Sequence, residues 1–158
     1  MNAELAELLA RLVRMRKAAA LGTLRDGAPF VSMVPYALVA DGFIVHVSQF
    51  AAHTRGMLAD ARVSLLVSES EDGDKSPLAL MRVSVQGLAR RIPNRSRELP
   101  AMRAAYLARF PDAAQMFDFN DFSIFLIRPE SARFVAGFGQ AHSLTGDTLC
   151  GLLQQEAP

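Results

Sequence analysis

Hydrophobic positions along this chain change period several times, and each change marks a new element. Over residues 3–17, Leu5, Leu8, Leu9, Leu12, Val13 and Met15 fall mostly on one stripe, with Glu4, Glu7, Arg11 and Arg14 outside it. That spacing predicts an amphipathic helix laid over a sheet. From residue 18 the period shortens. Residues 18–24 read as a first strand, and Arg25-Asp26-Gly27 supplies the Asp-Gly signal of a hairpin turn. Residues 29–39 read as a second strand and Asp41-Gly42 as a turn into a third, residues 43–48, so these three form a meander of antiparallel neighbours. Pro35 lies inside the second strand and cannot donate to a ladder, which implies an edge, a bulge or a ligand there.

Further along, residues 51–59 form a compact helix and residues 62–67 a fourth strand, followed by an acidic loop over residues 68–76. A fifth strand covers residues 79–90, with Val83 and Val85 on one face and Arg82, Ser84 and Gln86 on the other. A helix within residues 94–110 starts near Glu98 with Pro100 in its first turn, and a short helical piece reaches Phe117. Residues 119–127 are a sixth strand covered on both faces. Pro129-Glu130-Ser131 reads as a turn into a seventh strand, residues 132–136. Gly137-Phe138-Gly139 then makes a flexible exit leading to His142, and a short helix lies around residues 149–154. The sum is a mainly β protein, a six- to seven-stranded antiparallel barrel capped by helices. It is expected to form a single domain over residues 1–158: an N-terminal helix (1–17), barrel and helices (18–145) and a C-terminal tail (146–158).

The stretch from Phe43 to Val67 is where chemistry concentrates. A strand delivers Ser48 to the start of a helix whose first turn holds His53, Thr54 and Arg55. The first N–H groups of a helix lack internal partners and carry partial positive charge. Two hydroxyls and a guanidinium beside them suit a phosphate. The alternative is a capped surface helix with a solvated arginine. His46 shares a strand face with Ser48 and approaches the same ligand, or else is a partly buried histidine with its hydrogen bond satisfied.

Composition adds mostly exclusions. Of 158 residues, 51% are hydrophobic and 21% charged, with a formal net charge of +1. The chain is therefore globular, and nothing global points to nucleic acid or an anionic membrane. Cys150 is the lone cysteine; it is expected to be inert and fits a reducing cytoplasm. The amphipathic N-terminus lacks the apolar core of a signal peptide, and no apolar run is long enough to span a bilayer. Gly137-Phe138-Gly139 is not a dinucleotide fingerprint, because His142 stands where its third glycine belongs. The three histidines could join Asp118 or Asp147 around a metal, but their spacings are unrelated, and no metal is expected. What remains is a phosphate-ready cluster on a small barrel flanked by apolar strands, which suits a flat, phosphorylated cofactor.

Those residues resemble a known family. Pro29-Phe30-Val31-Ser32-Met33-Val34-Pro35-Tyr36 is similar to the second strand of the pyridoxamine 5'-phosphate oxidase-related flavoproteins, the FMN-binding split barrels. Ser48, His53-Thr54-Arg55 and Ala59-Asp60-Ala61-Arg62-Val63-Ser64-Leu65 resemble their cofactor-phosphate segment, and Met81-Arg82-Val83-Ser84-Val85-Gln86-Gly87 their strand ending in glycine. Asp121-Phe122-Ser123-Ile124 and Arg133-Phe134-Val135-Ala136-Gly137-Phe138-Gly139-Gln140-Ala141 resemble the haem-utilisation branch more narrowly. The likeness runs in order over about residues 18–145. It implies a homodimer with FMN at the subunit interface. Carried over by position, Phe30, Val31, Ser32, Met33 and Val34 would run along the isoalloxazine and ribityl chain. Val47, Ser48, His53, Thr54 and Arg55 would hold ribityl and phosphate, and Arg82 would act near the flavin. Ser143 stands where the branch has an aromatic residue, the chain has no Trp, and the further C-terminal domain of many relatives is not expected here. No Arg or Lys follows Arg133, so vitamin B6 oxidation is not implied.

Two functions follow as expectations. The first is an FMN-dependent oxidoreductase acting on a small-molecule redox substrate, the flavin doing the redox chemistry and the protein supplying orientation and exclusion of water. No side chain stands out as its catalytic acid or base. The second is a haem-binding or haem-degrading protein with His142 as axial ligand. A non-catalytic flavin-binding protein is a third possibility.

Overall fold

The structure, a computed structural model, describes residues 1–71 and 74–154. Asp72 and Gly73 of the acidic loop and residues 155–158 of the tail lie outside them. Among the described residues, eight strands form one antiparallel sheet in the order β2-β1-β5-β6-β7-β4-β3, with β8 beside β7. The strands are β1 (Ala18–Arg25), β2 (Ala28–Pro35), β3 (Ala37–Val39), β4 (Gly42–Ser48), β5 (Arg62–Ser68), β6 (Arg82–Arg91), β7 (Phe122–Gly137) and β8 (Gln140–Thr145). The helices are α1 (Ala3–Met15), α2 (Ala52–Ala59), α3 (Leu99–Arg109) and α4 (Gly146–Gln154), with 3-10 segments at Pro77–Ala79 and Pro111–Asp118. The antiparallel split barrel expected from the sequence is what the chain forms.

Local chemistry explains several elements directly. The Asn2 side chain accepts from the Leu5 amide at 2.9 Å and starts α1, whose Leu9, Leu12 and Val13 are buried. Asp26 and Gly27 both take positive φ, 52° and 79°, the backbone that a two-residue hairpin with native twist requires.

Three strand expectations need correction. Pro35 does not sit inside one long strand: it ends β2. The chain turns at the fully buried Tyr36, and β3 pairs with β4 at the opposite edge of the sheet. The third expected strand, β4, therefore pairs with the last three residues of the expected second strand, now β3, and not with β2; its long partner is β7. This jump from one edge to the other brings the two edges toward each other. Secondly, Pro129-Glu130-Ser131 makes no turn. β7 runs unbroken for 16 residues, with a bulge between Gln86 and Gly87 opposite the proline. Backbone can crowd this point only where Cβ atoms are missing. A Cβ on Gly87 would stand 2.3 Å from the Arg128 carbonyl oxygen, and one on Gly146 would stand 1.9 Å from that of Pro129. Thirdly, the segment after Gly139 is not a loose exit but β8, paired with β7 through Phe134 and His142.

Alternation along β4 and β7 splits the apolar residues into two cores. Phe43, Val45, Val47, Phe125 and Ile127 fill the barrel, roofed by α1 and α4. Ile44, Ile124 and Leu126 face outward under α3, against Met102 and Tyr106. The mixed-apolar reading of the sixth strand, covered on both faces, holds for this reason.

Candidate functional site

The residues singled out from the sequence fall into three places. Along β2, Phe30, Ser32 and Val34 face inward, with Val34 buried. Val31 and Met33 point out and are 66% and 70% exposed. The register puts Val31 and Met33 on the same outer face as Arg82: Met33 lies in one row with Ala20, Leu66 and Ser84, and Arg82 in the next with Ser68. Arg82 is half-buried and donates to the Leu80 carbonyl at 2.9 Å. Val47 is inside the barrel.

The remaining residues gather where α2 meets the barrel. His53 Nδ1 lies 3.1 Å from the Ser32 hydroxyl, joining α2 to β2. Burial holds the His53 pKa below the usual value, so its imidazole is neutral at pH 7. Thr54 is buried and its hydroxyl donates to the Ser48 carbonyl at 2.7 Å. The Ser48 hydroxyl donates to the Asp121 carboxylate at 2.8 Å and accepts from the Phe50 amide at 3.2 Å. Arg55 is exposed and donates to the Phe50 carbonyl at 3.0 Å. Asp121 also accepts the Gln49 amide through its backbone. The cluster is thus a latch that fastens the β4–α2 connection to the start of β7. Its hydroxyls are already committed, and a carboxylate stands at its centre.

A phosphate fits this arrangement poorly. Ser48 and Thr54 would have to surrender protein partners, and a phosphate near Asp121 would place like charges together. The α2 N-terminus has no side-chain cap, so its amides are the part of the expected grip that stays open. Sequence reading places Asp121 only within the closing strand. Its partner is 73 residues away, and no periodicity signals such a pair.

His46 departs from both of its readings. It lies on the Ser48 face of β4 but under α3, stacked on Phe117 at 3.8 Å and 8° between planes. It is buried, yet among the described residues its Nδ1 has no hydrogen-bond partner. Burial, and secondarily the Arg103 charge, push its pKa down to about 4.

His142, on β8, lines a groove of about 540 Å³ between the start of α1 and the β7–β8 hairpin, with Asn2, Glu4, Leu5, Leu8 and Ala136. It is half-buried and fixed by strand pairing. Cys150 is half-buried, with its thiol pKa raised by burial and then by Asp147, which leaves little thiolate. Among the described residues no three His, Cys, Asp or Glu side chains converge on a metal position. No helix among them is long and apolar enough to cross a membrane.

Comparison with known proteins narrows the possibilities. The sequence profile of the pyridoxamine 5'-phosphate oxidase family matches residues 5–136. Over 143 residues the chain is 30% identical to the heme oxygenase HutZ of Vibrio cholerae, covering 89% of this chain and 81% of that protein. Over 123 residues it is 37% identical to the chloroplastic heme oxygenase HOZ of Arabidopsis thaliana, covering 77% of this chain but only 36% of that one. A heme binding protein from Mycobacterium smegmatis superposes with a TM-score of 0.84 at 32% identity, over 96% of this chain and 62% of its own. The chain thus spans about a third of the plant protein and under two thirds of the mycobacterial one.

Proposed function

The chain belongs to the pyridoxamine 5'-phosphate oxidase family, on its haem-utilisation branch, and we propose that it binds and degrades haem. The observation that carries this reading is the state of the α2 cluster. The two hydroxyls that would grip a flavin phosphate are committed, Thr54 to the Ser48 carbonyl and Ser48 to Asp121, and leave only the α2 amides and the exposed Arg55, while relatives along most of the chain are a heme oxygenase and a heme binding protein. The groove beside α1 supplies what a porphyrin needs: an imidazole at His142 for the iron, and Leu5, Leu8 and Ala136 for the apolar macrocycle. Haem is the substrate in this reading, and its iron supplies the oxygen chemistry. The protein's part is to hold His142 on a paired strand and keep water off one macrocycle face.

The test is a haemin titration followed in the visible spectrum. The wild-type chain is expected to give a Soret shift that His142→Ala abolishes and Arg55→Ala leaves unchanged. An identical spectrum in His142→Ala removes the ligand assignment.

A second reading, FMN held between two copies of the chain, draws on the outer sheet face. Val31, Met33 and Leu66 are 66%, 70% and 40% exposed there, beside Arg82. Apolar side chains gathered on one strand edge suit a second copy. Under this reading purified protein is yellow and Arg55→Ala releases the flavin. In either reading Met33→Asp is expected to turn a dimer into a monomer in light scattering.

A further inference from the structure

The groove that holds His142 does not end beside it. Glu4, Leu8, Arg11 and Met15 recur at helical spacing along one side of α1. A second cavity, of about 520 Å³, takes up where the first stops, and Leu8 lines both. The sheet joins them too. Arg82 pairs with Val135, which brings Met81 of the second cavity alongside Ala136 of the first.

The two stretches differ in charge. The His142 stretch carries a carboxylate, Glu4, whereas the second is lined by Arg11, Arg16 and Lys75 against the carboxylate of Glu69. Lys75 Nζ bonds the Glu69 carboxylate at 2.5 Å, and the Met81 amide donates to the same oxygen at 2.8 Å. Among the described residues that leaves the guanidinium groups of Arg11 and Arg16 without a carboxylate. Arg16 donates to the Ser70 hydroxyl. Burial acts against ionisation of Glu69, yet the Lys75 and Met81 contacts and the Arg16 charge together lower its pKa, so Arg16 faces the same end of the cavity. Arg11 rests its Nε on the Met15 sulfur, and its terminal nitrogens make no hydrogen bond among the described residues.

We propose that Arg11 and Arg16 hold the two propionates of haem, so that the porphyrin lies along α1 with its iron at His142 and its carboxylate edge toward the C-terminal half of that helix. The inference rests on the haem reading and adds a direction to it. Two positive charges left over answer two carboxylates, which a guanidinium grips through paired N–H donors. Glu4, at the other end, repels propionates and disfavours the reversed orientation. From Leu5 to Arg11 the helix rises about 9 Å, within the span of one porphyrin and its propionates.

Haemin and its dimethyl ester, which keeps iron and macrocycle but has no free carboxylates, test this on the full chain by visible titration. Both are expected to give the same His142-dependent Soret shift, with the ester binding at least about tenfold more weakly. Arg11→Gln combined with Arg16→Gln should lower haemin affinity to the ester's level and leave the ester's affinity unchanged. Arg91→Gln, at the far end of β6, should change neither. Equal affinity of the wild-type chain for haemin and ester overturns the propionate assignment while the haem reading stands. So does a parallel loss of both compounds in the double variant, or a loss in Arg91→Gln as large as in that variant. No Soret shift with either compound overturns both.

Discussion

Ser48 and His46 stand two residues apart on the same face of β4, yet their surroundings are opposites. The hydroxyl and carbonyl of Ser48 both found protein partners: Asp121 for the hydroxyl, and Thr54 and Ala51 for the carbonyl. Around His46 the strand face was closed by rings from Phe117, Tyr106 and Phe122, and the imidazole was left without a hydrogen bond. The Ser48 cluster has the composition of a binding site and acts as a latch. The His46 cluster has the composition of core and keeps an unspent nitrogen. Polar residues that satisfy one another hold a fold together; buried ones left unsatisfied cost stability.

This contrast can be broken in order of expected size. His46 is held at about pKa 4 against an ordinary 6.5. The unfolded chain therefore takes up a proton near pH 6.5 that the folded chain refuses until about pH 4. Stability is full above about pH 6.5 and falls as pH drops through this window, by roughly 3 kcal/mol at most. Urea unfolding at several pH values measures it. His46→Leu should flatten the slope while staying within about 1 kcal/mol of wild type at about pH 7, since it removes an unpaired polar group along with some packing.

At the latch, substitutions remove hydrogen bonds that are made. Asp121→Ala strips the acceptor from Ser48 and should cost about 2 kcal/mol at neutral pH. Thr54→Val keeps the buried volume and removes one hydrogen bond, for a loss of about 1 kcal/mol; the Ala51 amide still serves the Ser48 carbonyl. Arg55→Ala, on an exposed side chain, should change the urea midpoint by less than about 0.5 kcal/mol equivalent. A large loss there would mean that Arg55 belongs to the latch after all.

Elements written in local sequence were legible. The α1 stripe, the Asp26-Gly27 turn and the Val83/Val85 alternation each depend on neighbours within a few residues. Pro129 reads as a turn and is not one, because relief for a proline in mid-strand came from Gly87 and Gly146, distant from it along the chain or reached only by folding. Pro35 signalled an edge correctly but not which edge the following residues would join. The candidate site divided the same way. Ser32 and His53 do meet, whereas Arg82 lies on the outer face of the sheet that Ser32 faces away from.

The sequence alone determined the periods, the Asp26-Gly27 turn and the α1 stripe, because repeats of about 2.0 and about 3.6 residues and a positive-φ turn act over a few bonds. It also carried the family, through short segments kept in order. Tertiary structure decided which hydroxyls were spent, that Asp121 would close the latch, and that His46 would be shut in without a partner. Those outcomes depend on which distant backbones come within hydrogen-bonding reach of one another, and no local repeat encodes that distance.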